Sequence, residues 1–149
     1  MKNNQLENNQ KLLNITYQTA DMGVFAIDQI YNAIEDENLT ILILKQKDKY
    51  AEIIGKCEKL ADEFVVDIDK LNPMLKASSW ASIKMKSMMN NETSHLCEML
   101  IQGTTMGITS VLQEMGKLHD CDDKINAVAS DLQRAMEEFI DSLKTMLTD

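Results

Sequence analysis

Leu39-Thr-Ile-Leu-Ile-Leu-Lys-Gln-Lys-Asp-Lys-Tyr-Ala-Glu-Ile-Ile-Gly-Lys-Cys-Glu-Lys-Leu60 decides the fold class. Its opening, Leu39 to Leu44, has the composition of a strand. No hairpin turn follows it. Instead one face repeats at intervals of three and four residues: Ile43, Gln46, Tyr50, Ile53, Cys57, Leu60, Phe64 and Ile68. A strand alternates every second residue, whereas this period is helical and persists for roughly seven more turns. The spacing predicts a helix over 39–71.

The same period governs the rest of the chain. A first helix is expected over 6–36, with Ile15, Thr19, Met22, Ala26, Ile30 and Ala33 on its stripe. Glu35, Asp36, Glu37 and Asn38 follow it. Acidic residues oppose the dipole at a helix C-terminus and suit an N-terminus, so they belong to the start of the second helix. Asn72-Pro73 is the clear break, since proline fits the first turn of a new helix. A third helix is expected over 74–118, kinked or broken near Asn90-Asn91. Its stripe passes through Ala81, Met85, Met88, Glu92, His95, Met99, Gln102 and Met106. Asp120-Cys-Asp-Asp123 is an acidic turn whose Asp122 or Asp123 can cap a fourth helix over 123–147. That helix carries Ile125, Val128, Leu132, Ala135, Phe139, Ser142, Leu143 and Met146. The fold class is all-α: a single-domain, antiparallel up-down four-helix bundle.

Composition narrows the function. Gly 5 and Pro 1 are too few for the turns of an all-β fold. A net charge of −9 with a single arginine, Arg134, argues against nucleic-acid binding, which needs clustered cations. No run approaches the roughly 20 apolar residues of a membrane span. The polar start, Met1 to Gln10, is not a signal peptide. Cys57, Cys97 and Cys121 are odd in number and widely spaced, so free thiols and a cytoplasmic location are expected. Cys57 falls on the core stripe of its helix. Cys121 should be exposed in the acidic turn and be the fastest thiol to react.

An internal repeat links the first and third helices. Gln18, Met22, Gly23, Val24, Ile27 and Gln29 match Gln102, Met106, Gly107, Ile108, Val111 and Gln113 at a constant offset of 84. Gly23 and Gly107 each cost a helix roughly 1 kcal/mol against alanine, which close helix packing would offset.

One polar cluster could carry chemistry. Glu92 and His95 form Glu-x-x-His, and Glu98 lies three residues further on. Residues three apart share a helix face, so carboxylate and imidazole can meet one ligand. The stretch Thr93-Ser-His-Leu-Cys-Glu-Met-Leu-Ile-Gln-Gly-Thr-Thr-Met-Gly-Ile108 resembles a recurrent segment of small bacterial proteins with a ferritin-like bundle, a family of unknown function. Asp21-Met22-Gly23 resembles their first helix. The resemblance implies a ferritin-like up-down bundle and marks His95, Glu98, Gln102 and Gly103. A dinuclear site needs histidines on two helices. Here the second histidine, His119, falls in the turn, and the fourth helix has none. Two readings of the cluster stay open. One is a single metal ion, iron or zinc, held by Glu92, His95, Glu98 and Asp21. The other is a buried polar network of Glu92, His95 and Gln102 with Tyr50 or Tyr17, which fixes helix register.

Other signals are structural. His119-Asp-Cys-Asp-Asp123 lacks the second cluster of a zinc site and the glycine of a calcium loop. Trp80 reads as a packing residue, and Met85 to Met89 as core or as a partner-binding surface. No phosphate-binding loop or nucleophile elbow occurs, and no organic cofactor is expected. The leading expectation is a non-enzymatic protein that self-associates or binds a partner, with residues 74–89 as surplus apolar face. The alternative is a ferritin-like metal-binding or redox protein.

Overall fold

The computed structural model describes residues 2–70 and 92–148. Four helices pack against one another, and no strand occurs among the described residues. They are α1 (Lys2–Ile30), α2 (Glu37–Phe64), α3 (Thr93–Lys117) and α4 (Asp123–Thr148). Closest packing joins α1 to α2 and α3 to α4; α4 also meets α1 and α2, and α1 meets α3. The Asn72-Pro73 break, Trp80, Met85 to Met89 and the irregularity at Asn90-Asn91 lie outside the described residues.

The strand-like opening of α2 is helical throughout. Asp36 caps it, its Oδ1 accepting from the Leu39 N–H at 2.8 Å, so the acidic run serves the second helix. α1 begins earlier than expected, at Lys2, and gives way to a 3₁₀ turn, Tyr31–Ala33. Asp122 stands before α4, its Oδ1 accepting from the Lys124 N–H at 2.9 Å.

α2 stops at Phe64, short of the expected residue 71. Val65 takes the left-handed conformation at φ 53°, and Val66 N–H reaches back to the Ala61 carbonyl at 3.0 Å. This closes the helix as a Schellman turn, usually the task of glycine. The sequence beyond has period two: Val66 and Ile68 pack on the core, while Asp67 and Asp69 face solvent. A ladder of α1 amides holds this extended segment. Gln10 Nε2 donates to the Asp67 carbonyl at 3.4 Å, and Gln18 Nε2 to that of Asp69 at 2.8 Å. Asn14 Oδ1 accepts from the Asp69 N–H at 2.9 Å. The helical period predicted beyond Phe64 yielded over 65–70 because these backbone groups found partners outside a helix.

The core stripes of α2 and α4 match the spacing: Ile43, Tyr50, Ile53 and Cys57, and Ile125, Leu132, Phe139 and Leu143, are buried. α1 and α3 differ. Their buried faces are Leu12, Leu13, Thr16, Ala20 and Ile27, and Leu96, Cys97, Leu100, Thr104 and Val111. Of the stripes expected to be core, Ile30 is buried, but Ile15, Thr19, Met22, Ala26 and Ala33 on α1 and the turn after it, and Met99, Gln102 and Met106 on α3, are half-buried or exposed. Both helices therefore carry a second, largely apolar face that the four-helix core does not consume.

Candidate functional site: a groove between α1 and α3

The second faces of α1 and α3 meet across an open groove of about 560 Å³. α1 contributes Ile15, Gln18, Thr19, Met22, Gly23 and Ala26 to its wall. α3 contributes Met99, Gln102, Gly103, Met106, Gly107 and Ser110. Each member of the second set is the first plus 84, the offset of the internal repeat. Part of each wall is therefore built from repeat-related positions; Ile27 and Ile30 of α1 and Leu100 and Thr104 of α3 also line the groove and do not correspond at this offset. Tyr50 of α2 and Met136 and Phe139 of α4 line it further in. Among the described residues, no charged side chain lines it.

The two paired glycines allow the helices to close around this groove. A Cβ on Gly23 would lie 2.5 Å from Tyr50 Cε2. A Cβ on Gly107 would lie 3.1 Å from Thr19 Cγ2 and 3.3 Å from Met136 Sδ. Gly103 is different: a Cβ there would meet nothing within 4 Å.

Tyr50 anchors the polar network of the core. Its ring is 3% exposed, and its hydroxyl bonds with Gln46 and Thr104. Burial pushes its pKa up, against the pull of those two bonds. Gln46 Nε2 in turn donates to the Ala135 carbonyl at 3.3 Å. Sequence reasoning placed Tyr50 in a buried network with Glu92, His95 and Gln102; the structure gives Tyr50 the partners Gln46 and Thr104. Glu92 and Gln102 are exposed. Glu92 is the N-cap residue of α3 and has extended backbone, with His95 in the first turn. Gln102 lies on the groove side of α3, opposite the buried face that presents Thr104. Gln46 stands four residues before Tyr50 on the same stripe of α2, a neighbour that spacing does give, whereas Thr104 comes from α3 and could not be read from spacing within one helix.

The candidate metal ligands do not assemble. Among the described residues, no three His, Cys, Asp or Glu side chains are placed to hold a metal ion. Glu98 is exposed, Asp21 and His95 half-buried. The His95 Nε2 atom is itself buried and without a hydrogen-bond partner. His119 is exposed in the turn.

All three cysteines are free and buried. Cys121, expected to be exposed, is only 9% exposed, because its side chain turns under the α3–α4 connection toward the Leu118 carbonyl. Burial pushes the thiol pKa of Cys57 up to about 12, with Glu58 adding to the effect. Burial likewise raises Cys97 and Cys121, followed by the charges of Asp36 and Asp120. None is an activated nucleophile. No described helix is long and apolar enough to cross a membrane. Comparison with known protein families, curated proteins and solved structures finds no match.

Proposed function

We propose that the chain is a non-enzymatic helical-bundle protein that acts by association, forming homo-oligomers through the groove between α1 and α3. The observation that carries this reading is an open, largely apolar groove, without a charged side chain among the described residues that line it, on a chain of net charge −9. Extended apolar surface on a protein usually marks a docking site. Met106 supports the reading, since a large apolar side chain stands 72% exposed in the groove. The groove offers little to catalysis. Among the described residues its one titratable lining group is Tyr50, which burial holds protonated.

The arrangement we assign is the up-down, antiparallel, ferritin-like bundle implied by the resemblance to small bacterial proteins. Two contacts support the antiparallel course of α1 and α3. Asn9, early in α1, accepts from the Asp122 N–H beyond the end of α3, at 2.8 Å. Thr19, further along α1, approaches Gly107, earlier in α3. Three unpaired thiols support a cytoplasmic location.

Light scattering combined with circular dichroism tests the proposal. The wild type should be oligomeric, and Met106→Glu should lower its oligomeric state with helix content unchanged. An exposed position tolerates a charge in the free chain but not in a dry interface. A wild type that is monomeric at high concentration overturns the proposal.

A further inference from the structure

We infer that residues 66–69 are a two-state element: a continuation of α2 that the amides of α1 hold extended, so that α1 sets where α2 ends. The inference goes beyond the association reading and does not depend on it. Two observations oppose the extended state. Phe64 and Ile68 stand four residues apart and continue the helical stripe of Ile53, Cys57 and Leu60. Nor is α2 stopped by a glycine or a proline, since residues 64–70 contain neither. It stops at Val65, whose φ of 53° is the one positive value among the described residues. A β-branched side chain is strained in that conformation.

The extended state is held from outside the segment. Gln10, Asn14 and Gln18 are spaced by four along α1 and so share one face of it. Gln10 and Gln18 donate to the carbonyls of Asp67 and Asp69, and Asn14 accepts from the Asp69 N–H. All three bonds are to backbone groups. In a helix continued to Asp69, that same N–H bonds to the Val65 carbonyl instead. The clamp and the helix therefore compete for one donor. Val66 and Ile68 pack on the core in the extended state, which favours the clamp further.

Charge acts on the same balance. Asp62 and Glu63 already stand in the last turn of α2. A longer helix would add Asp67 and Asp69 at its new C-terminus, where carboxylates oppose the dipole. Both aspartates are exposed, and the clamp uses their backbone rather than their side chains. Local period and strain thus favour a longer helix, while the α1 amides, the core contacts and charge favour the extended form. Gln18 connects this element to the groove, because it both lines the groove and clamps Asp69. Continuing α2 releases the Gln18 amide, so the length of α2 changes what the α1 wall offers.

Carbon NMR shifts of the isotope-labelled full chain test the inference, because Cα shifts depart from random coil in opposite directions in extended and helical backbone. Residues 66–69 should be extended in the wild type. Asn14→Ala with Gln18→Ala removes two of the three bonds and should shift the balance about tenfold or more toward helix, moving those shifts with it. Adding Val65→Gly should return them to extended values, since glycine accepts the left-handed conformation and weakens a helix interior. Asp67→Lys with Asp69→Lys leaves the clamp intact at exposed positions and should also move the shifts toward helix. This second pair decides the matter if the first does not fold. Shifts that stay extended in the variants overturn the inference, because the segment is then extended on its own account. Random-coil shifts overturn it equally, since they leave no helical second state, as does a Val65→Gly change that fails to reverse the effect.

Discussion

Replacing Gly23 by alanine would drive a methyl carbon into the Tyr50 ring. The added Cβ would stand 2.5 Å from Cε2 and 2.8 Å from Cδ2 and Cζ. Unstrained carbon contacts lie at about 3.5–4.0 Å, so the ring must retreat by about 1 Å. It has little room, since it is 3% exposed and its hydroxyl is held by Gln46 and Thr104. Overpacking of this kind costs about 1–3 kcal/mol, and disturbing one hydrogen bond adds about 1 kcal/mol. Against this, alanine returns roughly 1 kcal/mol of helix propensity. The net expectation is a loss of about 1–3 kcal/mol, or about 3–9 °C in melting temperature for a chain of this size. Gly103→Ala is the matched control, because it receives the same propensity gain with nothing to strike, and it should gain up to about 1 kcal/mol. Urea unfolding followed by circular dichroism, on dilute protein so that association does not contribute, measures both. If Gly23→Ala proves as stable as the wild type, the close packing of α1 on Tyr50 is refuted. If Gly103→Ala loses as much as Gly23→Ala, the contrast between filled and open space is refuted.

Val65→Gly should stabilise the chain by about 1 kcal/mol in the same assay, because the left-handed residue ending α2 is 87% exposed and loses no burial on becoming glycine. His95→Leu should be neutral or stabilising by about 1 kcal/mol, since it removes a buried, unpartnered nitrogen; a large destabilisation in denaturant melts would mean that the imidazole has an essential partner. Stability should fall as pH rises from about 9 toward 12, measured as the urea midpoint. The fold favours the protonated Cys57 thiol, whose pKa rises to about 12, so its contribution is complete below the unfolded thiol pKa and is lost through the folded one. Tyr50, Cys97 and Cys121 act with the same sign, and a flat profile across that window would contradict their burial.

Periodicity by itself determined that Leu39 to Leu44 begins a helix, and it located the buried faces of α2 and α4. Those helices have one apolar face each, so their pattern has one solution. Local chemistry likewise determined the Asp36 cap and the break before α4, because a cap depends on residues within one turn of it. The offset of 84 between α1 and α3 was also legible in the chain, as was the need for close packing at Gly23 and Gly107. What the repeat builds was not. α1 and α3 each carry two faces able to be buried, and spacing alone cannot say which one the partner helices choose. Tertiary packing turned Leu12, Thr16 and Ala20 inward on α1 and Leu96, Leu100 and Thr104 inward on α3. This left Met22, Gln102 and Met106 to line the groove. The same packing brought Thr104 to Tyr50, left His95 Nε2 without a partner among the described residues, and bent the chain away from a helix at Val65. Each of these outcomes depends on which distant groups come within hydrogen-bonding or van der Waals reach, and only the assembled helices set those distances.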